Sequence, residues 1–333
     1  MIDPIALTRD LVQIPSPTGE EGAVVDYMAS LLARLGYRVE RLSVTPGRDN
    51  LYATLEAPPK VVLTTHLDVV PPHLAFREDE EWLHGRGTCD AKGLAAALVA
   101  AAERLRAAGE QRLGLLFVVG EEVGGEGAQA AQAFEPKGRY LINGEATENR
   151  LSIGQKGSLA LELRAEGKAA HSAYPEEGKS AIDALLAAIG RIRGIPLPSD
   201  KLLGETTLNI GLIQGGVAAN VIPPEATATL VYRTVADQAP LEALVREAAG
   251  SDVRVRRLYR FGHVRSPSLE GWDTTTVKYA SDLAHLGAWG TGYQLGPGSI
   301  KVAHTAEERI RKADLLLGVE RYVSLARQLL ALP

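Results

Sequence analysis

A chain of 333 residues, with hydrophobic residues at 45% and charged residues at 23%, can bury a large core and reads as two medium domains rather than a disordered or fibrous polymer. Its 36 Lys and Arg against 41 Asp and Glu leave a net charge of −5 with no basic block, which excludes nucleic acid as a partner. The lone cysteine, Cys89, rules out an internal disulfide or a thiolate zinc cage, and the longest apolar run, residues 94–102, is far short of the ~20 that a bilayer needs, so a cytoplasmic protein without membrane contact is expected.

Residues 3–36 read as two amphipathic helices separated by a Pro-Ser-Pro-Thr-Gly turn, with Gly36 stopping the second. Strands at 38–42, 51–56 and 61–65 follow, then an alanine-rich core helix over 93–108, a strand at 114–119, a helix near 128–134 and a strand at 140–143. The runs VVL and LLFVV predict strands buried on both faces, as in an α/β sheet. The acidic run from Glu78 to Glu81 reads as a solvated loop or hairpin.

Past Gly154 the order changes: strand 158–165, helix 180–193, strands 207–214 and 225–234, helix 241–249 and strand 253–260. This is the β-α-β-β-α-β order of a ferredoxin-like unit. The expected fold is therefore α/β, a mixed-sheet α/β/α domain over residues 1–155 and 266–333 with a ferredoxin-like α+β domain inserted at 156–265. An amphipathic helix over 313–330 closes the chain.

Three predicted strands run into imidazole or acidic groups: His66-Leu-Asp68, Gly120-Glu121-Glu122 and Gly144-Glu145. In open α/β sheets ligands gather beyond the carboxyl ends of the strands, so these side chains should converge. Asp90 joins them from the glycine-rich segment Gly85-Arg-Gly-Thr-Cys-Asp90-Ala-Lys-Gly93. Carboxylates packed that closely repel unless cations sit among them. Imidazole mixed with carboxylate, without thiolate, fits zinc, with cobalt or manganese as alternatives, and His304 supplies a second imidazole. Charge balance favours two ions, since Asp90, Glu122, Glu145 and one hydroxide offset two divalent cations. Gly298 and Ser299, in Gly296-Pro-Gly-Ser299, offer backbone N–H groups for a substrate carboxylate.

His73, His84, His263 and His285 carry no motif and read as surface or core residues, and Cys89 as a small buried one. There is no G-x-S-x-G elbow, no HExxH and no Walker lysine motif, which argues against a serine hydrolase, a zincin or a nucleotide site.

Together with Ala170-His171-Ser172, Gly215-Gly-Val-Ala-Ala-Asn220-Val-Ile-Pro and Val302-Ala-His304-Thr, these segments make the chain resemble, over essentially its whole length, the M20 metallopeptidases, the group of acetylornithine deacetylase, succinyl-diaminopimelate desuccinylase and carboxypeptidase G2. The resemblance implies that Asp90 bridges two zinc ions, with His66 and Glu145 on one and Glu122 and His304 on the other. It makes Asp68 the residue that orients His66, Glu121 the general base, and the Asp90–Ala91 bond cis. The insert becomes a lid and homodimerisation domain, His171 a group that crosses the dimer interface to stabilise the oxyanion, and Asn220 and Arg233 holders of a substrate carboxylate. The implied activity is that of a dinuclear zinc amidohydrolase acting in amino-acid biosynthesis on an N-acyl amino acid such as N-acetylornithine or N-acetyl-lysine. The alternatives are a di- or aminopeptidase or a carboxypeptidase acting on short peptides, and N-succinyl-diaminopimelate desuccinylase. A non-catalytic binding protein on the same scaffold is more remote, because Glu121 and every expected ligand are present.

Overall fold

The structure, a computed structural model, describes residues 2–333. The chain divides into two compact units: Met1–Gly154 with Arg265–Val277 and Ser281–Pro333, and Gln155–Val264 with Lys278–Ala280.

The first unit opens with α1 (Pro4–Val12), where the Asp3 carboxylate accepts the Ile5 N–H at 2.9 Å and Pro4 takes the first helical position. In α2 (Gly22–Arg34) the buried residues Val24, Val25, Met28, Leu31 and Leu32 lie along one helical stripe. There follow β1 (Arg38–Thr45), β2 (Arg48–Thr54), β3 (Val61–His66), β4 (Arg77–Glu78), β5 (Trp82–His84), α3 (Lys92–Ala107), β6 (Leu113–Val118), α4 (Glu126–Ala130), β7 (Tyr140–Gly144) and β8 (Leu151–Gln155). The acidic run is the turn of the β4–β5 hairpin, and Glu78 is tied down by Arg9 at 2.6 Å and Lys312 at 2.8 Å, so it is not simply solvated. The helix expected near 128–134 is shorter: α4 passes into one 3-10 turn (Ala131–Ala133), and Phe134 is already extended.

The second unit consists of β9 (Gly157–Glu166), α5 (Ala181–Arg193), the small hairpin β10 (Ser199–Asp200) and β11 (Gly204–Glu205), β12 (Thr207–Gly215), β13 (Glu225–Thr234), α6 (Gln238–Ala249) and β14 (Val253–Phe261). Its sheet has the order β12-β13-β9-β14 with every pair antiparallel, the strand order of a ferredoxin-like unit. Strict alternation along β13 buries Ala226, Ala228, Leu230 and Tyr232, which join Leu185, Ile189 and Ile192 of α5 and Leu241 and Val245 of α6 in one core. Each large apolar side chain so buried contributes ~1.5–3 kcal/mol. At the free edge, β12 leaves Leu212 and Ile213 exposed.

The chain then supplies β15 (Val264–Arg265), β16 (Thr274–Val277), β17 (Thr291–Leu295), β18 (Arg309–Arg311) and α7 (Lys312–Ala331). The central sheet runs β1-β2-β6-β3-β7-β17-β8, with β16 also pairing β8, while β18 joins β5 in a small separate sheet. Its middle is parallel: β3 pairs in parallel with β6 and β7, and β17 with β7. Strands β3, β6 and β7 are buried along their whole length, and the alanine-rich α3 packs against α1 and α7. Cys89 is fully buried, and its thiol donates to the Ser299 carbonyl.

Candidate active site

Four neighbouring parallel strands deliver the site. β3 ends at His66, β6 leads through Gly120 to Glu121 and Glu122, β7 ends one residue before Glu145, and β17 leads into the loop that carries His304. The turn after β6 requires glycine: Gly120 has φ +79°, and a Cβ there would lie 2.7 Å from the Glu126 carboxylate and 2.8 Å from the Arg48 guanidinium.

Asp90 is the geometric centre. One of its oxygens lies 3.1 Å from His66 Nε2 and the other 3.3 Å from His304 Nε2, and the same His304 nitrogen is 3.0 Å from Glu122 Oε2. A bridging carboxylate needs this arrangement, one oxygen toward each of two positive centres. His66, Asp90 and Glu122 each offer a ligand atom within 4.8 Å of the others. The Asp90–Ala91 peptide is cis. His304 has φ +61°, a left-handed backbone that a non-glycine residue adopts only where its surroundings hold it.

The acids of the cluster pull its imidazoles toward the protonated form. Burial pushes His66 down, but hydrogen bonds to Asp68 and Asp90 win and hold it well above its ordinary value. His304, hydrogen-bonded to Asp90 and Glu122, is pushed up to about 10. Burial pushes Asp90 up, but His304 and His66 outweigh it and hold the carboxyl below the usual range. Burial lifts Glu121 and Glu145 well above the usual carboxylate value, with neighbouring acids adding to it, and lifts Glu122 as well. Among the described residues the Glu121 and Glu145 carboxylates accept no hydrogen bond. Imidazoles forced to stay cationic and carboxyls forced toward neutrality mark a donor set short of positive charge, so these residues fit divalent cations.

Asp68 serves the site differently from the expected contact alone. The nearest acceptor for His66 Nδ1 is the Asp68 backbone carbonyl at 3.0 Å, and the carboxylate lies at 3.4 Å. That carboxylate accepts the N–H groups of Glu121 and Glu122, each at 3.1 Å, and the Thr18 hydroxyl at 2.8 Å. Asp68 therefore fixes the turn that carries Glu121 and Glu122 while facing His66. Thr18 belongs to the Pro-Ser-Pro-Thr-Gly turn, which sequence reasoning took only as a helix break.

The substrate residues proposed from sequence do not all gather. His171 and Asn220 are neighbours in the second unit: His171 bridges to Val221, and the Ser172 N–H donates to the Asn220 carbonyl at 3.0 Å. Both are exposed, and His171 Nδ1 accepts only the nearby Ala173 N–H. Arg233 pairs with Ser158 and Thr207 near the far end of β13, eight residues from the Glu225 end and so roughly 26 Å along the strand. In the first unit, Gly298 and Ser299 turn toward Glu148, whose N–H donates to the Gly298 carbonyl at 2.9 Å and whose carboxylate accepts the Ser299 hydroxyl at 2.9 Å. Sequence reasoning also missed Asp282, a buried acid whose two oxygens have no hydrogen-bond partner and whose pKa burial raises to about 7.

The profile of peptidase family M20/M25/M40 matches residues 62–328. A peptidase M20 domain-containing protein of Schizosaccharomyces pombe is 39% identical over 331 residues, spanning 96% of this chain and 82% of that protein. A probable carboxypeptidase of Aspergillus terreus is 38% identical over 366 residues, spanning 96% of this chain and 84% of its own. The crystal structure of an M20 family metallo-carboxypeptidase from Sulfolobus solfataricus shares the fold, with a TM-score of 0.79 over 100% of both chains at 17% identity.

Proposed function

The chain belongs to peptidase family M20/M25/M40, metal-dependent hydrolases of amide and peptide bonds, and from that premise we propose that it is a two-metal carboxypeptidase acting on short peptides. The observation that carries the metal part is Asp90, with one oxygen toward His66 and the other toward His304. Glu145 would complete the His66 side and Glu122 the His304 side. The mix of imidazole and carboxylate suits zinc, with cobalt or manganese able to replace it. Bound there, the ions would polarise the scissile carbonyl and make water acidic enough to attack at neutral pH.

The chain's own residues do the rest. Glu121, free of hydrogen bonds and raised by burial, is suited to take a proton from the attacking water and hand it to the leaving amine. Asp68 keeps the Glu121–Glu122 turn in place through two backbone N–H groups. His171, exposed and with its ring accepting only the Ala173 N–H, would receive the oxyanion, and Asn220 beside it would hold a substrate carboxylate, with Arg233 serving a separate anchor.

The resemblance to N-acetyl amino acid deacetylases led the reading of sequence alone, but relatives that match nearly the whole chain are named probable carboxypeptidases, which favours the peptidase alternative. We further infer a homodimer through the inserted unit, which leaves Leu186, Leu212, Ile213 and Val217 exposed beside the unpaired edge of β12, with Leu186 and Ile213 lining one shallow apolar cavity of about 170 Å³. Among the described residues, no helix is long and apolar enough to cross a membrane.

The test is to incubate the protein, loaded with zinc or cobalt, with dipeptides, tripeptides blocked at either end, and N-acetylornithine or N-acetyl-lysine, following released amino acids by mass spectrometry. Loss of the C-terminal residue from N-blocked peptides, abolished by C-terminal amidation and by chelator, is expected. Cleavage of the N-acetyl amino acids alone would restore the deacetylase reading, and a requirement for a free N-terminus would make the enzyme an aminopeptidase.

A further inference from the structure

Four residues after His304, Glu308 is buried at 2% exposure and its carboxylate faces the segment that carries Asp90. One oxygen, Oε1, accepts three backbone N–H groups of that segment: Gly87 at 2.9 Å, and Cys89 and Asp90 at 3.1 Å each. The other, Oε2, accepts from the Arg86 guanidinium at 2.6 Å, and Arg86 is itself buried. Arg86 also donates to the Pro72 and Thr305 carbonyls, both at 3.3 Å. Burial raises the Glu308 carboxyl above its ordinary value, and Arg86 and the Cys89 N–H work against that rise.

Three converging N–H groups form an anion-binding nest, and here the anion is a side chain of the protein itself. The nest spans the residues leading into Asp90, and the carboxylate that fills it belongs to the segment of His304. Backbone pairing extends the tie: the Glu308 carbonyl accepts the Gly85 N–H at 3.1 Å, and β18 pairs with β5 in the register Arg309 to His84. One buried carboxylate thus fixes, relative to each other, the two loops whose side chains meet at Asp90 and His304.

We propose that Glu308 is a positioning residue that sets the spacing of Asp90 and His304, and through it the affinity of the site for metal. This inference rests on the reading of Asp90 and His304 as metal ligands. The Arg86–Glu308 pair is neutral as a unit, so it adds no net charge to the carboxylate cluster. Its contribution is geometric, and loss of such supporting contacts around a metal site typically costs about 10- to 100-fold in metal affinity.

The test compares the wild type with Glu308→Gln, which keeps an acceptor for the N–H groups but sets an amide against Arg86, and Glu308→Ala, which removes the acceptor. Glu103→Gln serves as a control: Glu103 is a buried carboxylate of α3, bonded to Tyr37 at 2.9 Å and Arg106 at 2.6 Å. Zinc affinity is measured by competition with a chromophoric chelator, and the visible spectrum of the cobalt-loaded proteins is recorded beside melting temperature. The expected order of zinc affinity is wild type, Glu308→Gln, Glu308→Ala, with a loss of about 10- to 100-fold at the end and an altered cobalt spectrum, while Glu103→Gln melts earlier yet binds as wild type. Glu308 variants that melt earlier but bind zinc within twofold of wild type, with an unchanged cobalt spectrum, would overturn the inference. If the wild type itself binds no metal, the metal reading fails instead. Amide hydrogen exchange of residues 87–90 in metal-stripped protein then decides the geometric claim: lost protection in the Glu308 variants supports it, and unchanged protection overturns it.

Discussion

In the first unit most of the chemistry-bearing side chains are closed to solvent, with His66 1%, Asp68 0%, Asp90 6% and Glu145 4% exposed, and only His304 among the expected ligands stands open, hydrogen-bonded to Glu122. In the inserted unit His171 and Asn220 are open to water on two loops joined by backbone hydrogen bonds, and Arg233 stands at the other end of a strand. Folding the first unit alone brings His66, Asp90 and Glu122 within 4.8 Å of one another. On the proposed function, the second unit would act only when a substrate or a second copy reaches it. The contrast is one of surroundings: the clustered acids sit beyond the ends of a buried parallel sheet, while the polar side chains of the inserted unit lie on surfaces that tolerate change.

The hardest break is Glu121→Gln, which should lower kcat by about 10²- to 10⁴-fold while zinc content, read by elemental analysis, stays as in the wild type. Loss of zinc from this variant would make Glu121 a ligand rather than a base. His171→Ala tests the open half: kcat should fall about 10²- to 10³-fold, with melting temperature and zinc content unchanged because the side chain is exposed. Asp68→Asn should cost about 10- to 100-fold in zinc affinity or activity and should lower the melting temperature, because the Glu121–Glu122 turn loses its charged acceptor.

The smallest effect sharpens the contrast through pH. In the metal-free protein His304 stands at about 10 rather than 6.5, and the Glu121 and Glu145 carboxyls stand well above 4.5. A value raised by folding stabilises the fold fully below the unfolded value and loses that contribution as pH rises through the folded one. Calorimetry of the metal-free protein should therefore show the melting temperature declining between pH 6.5 and about 10, with a shallower decline once zinc is bound. A metal-free profile flat across that range would show that these protons do not contribute to its stability.

Much of this was legible in the sequence because the elements involved carry local signals. VVL and LLFVV announce strands that tolerate no polar face, and the β-α-β-β-α-β order of the insert needs only period and spacing to be read. Strands β8 and β17 were not read: LSIGQ and TGYQL have no apolar run, and β17 is a strand because the buried β7 offers it a parallel partner. Glu308 was invisible for a different reason. A carboxylate that satisfies backbone N–H groups obeys no residue spacing, since any folded loop can present them. The separation of Arg233 from Asn220 was hidden too, because thirteen positions in sequence say nothing of strand length until the register is known.

The place of β17 between β7 and β8 has a consequence for how the protein is made. Its two sheet neighbours are synthesised before the inserted unit, and β17 emerges only after it, well over a hundred residues later. On the ribosome the inserted unit has all of its strands and helices available while the central sheet still lacks a middle member, and closing that long-range gap is the slow, late event. His304 arrives later still, so a nascent chain that stalls before it lacks one of the imidazoles that face Asp90. The cluster around Asp90 is therefore complete only after the inserted unit and β17 have both been made.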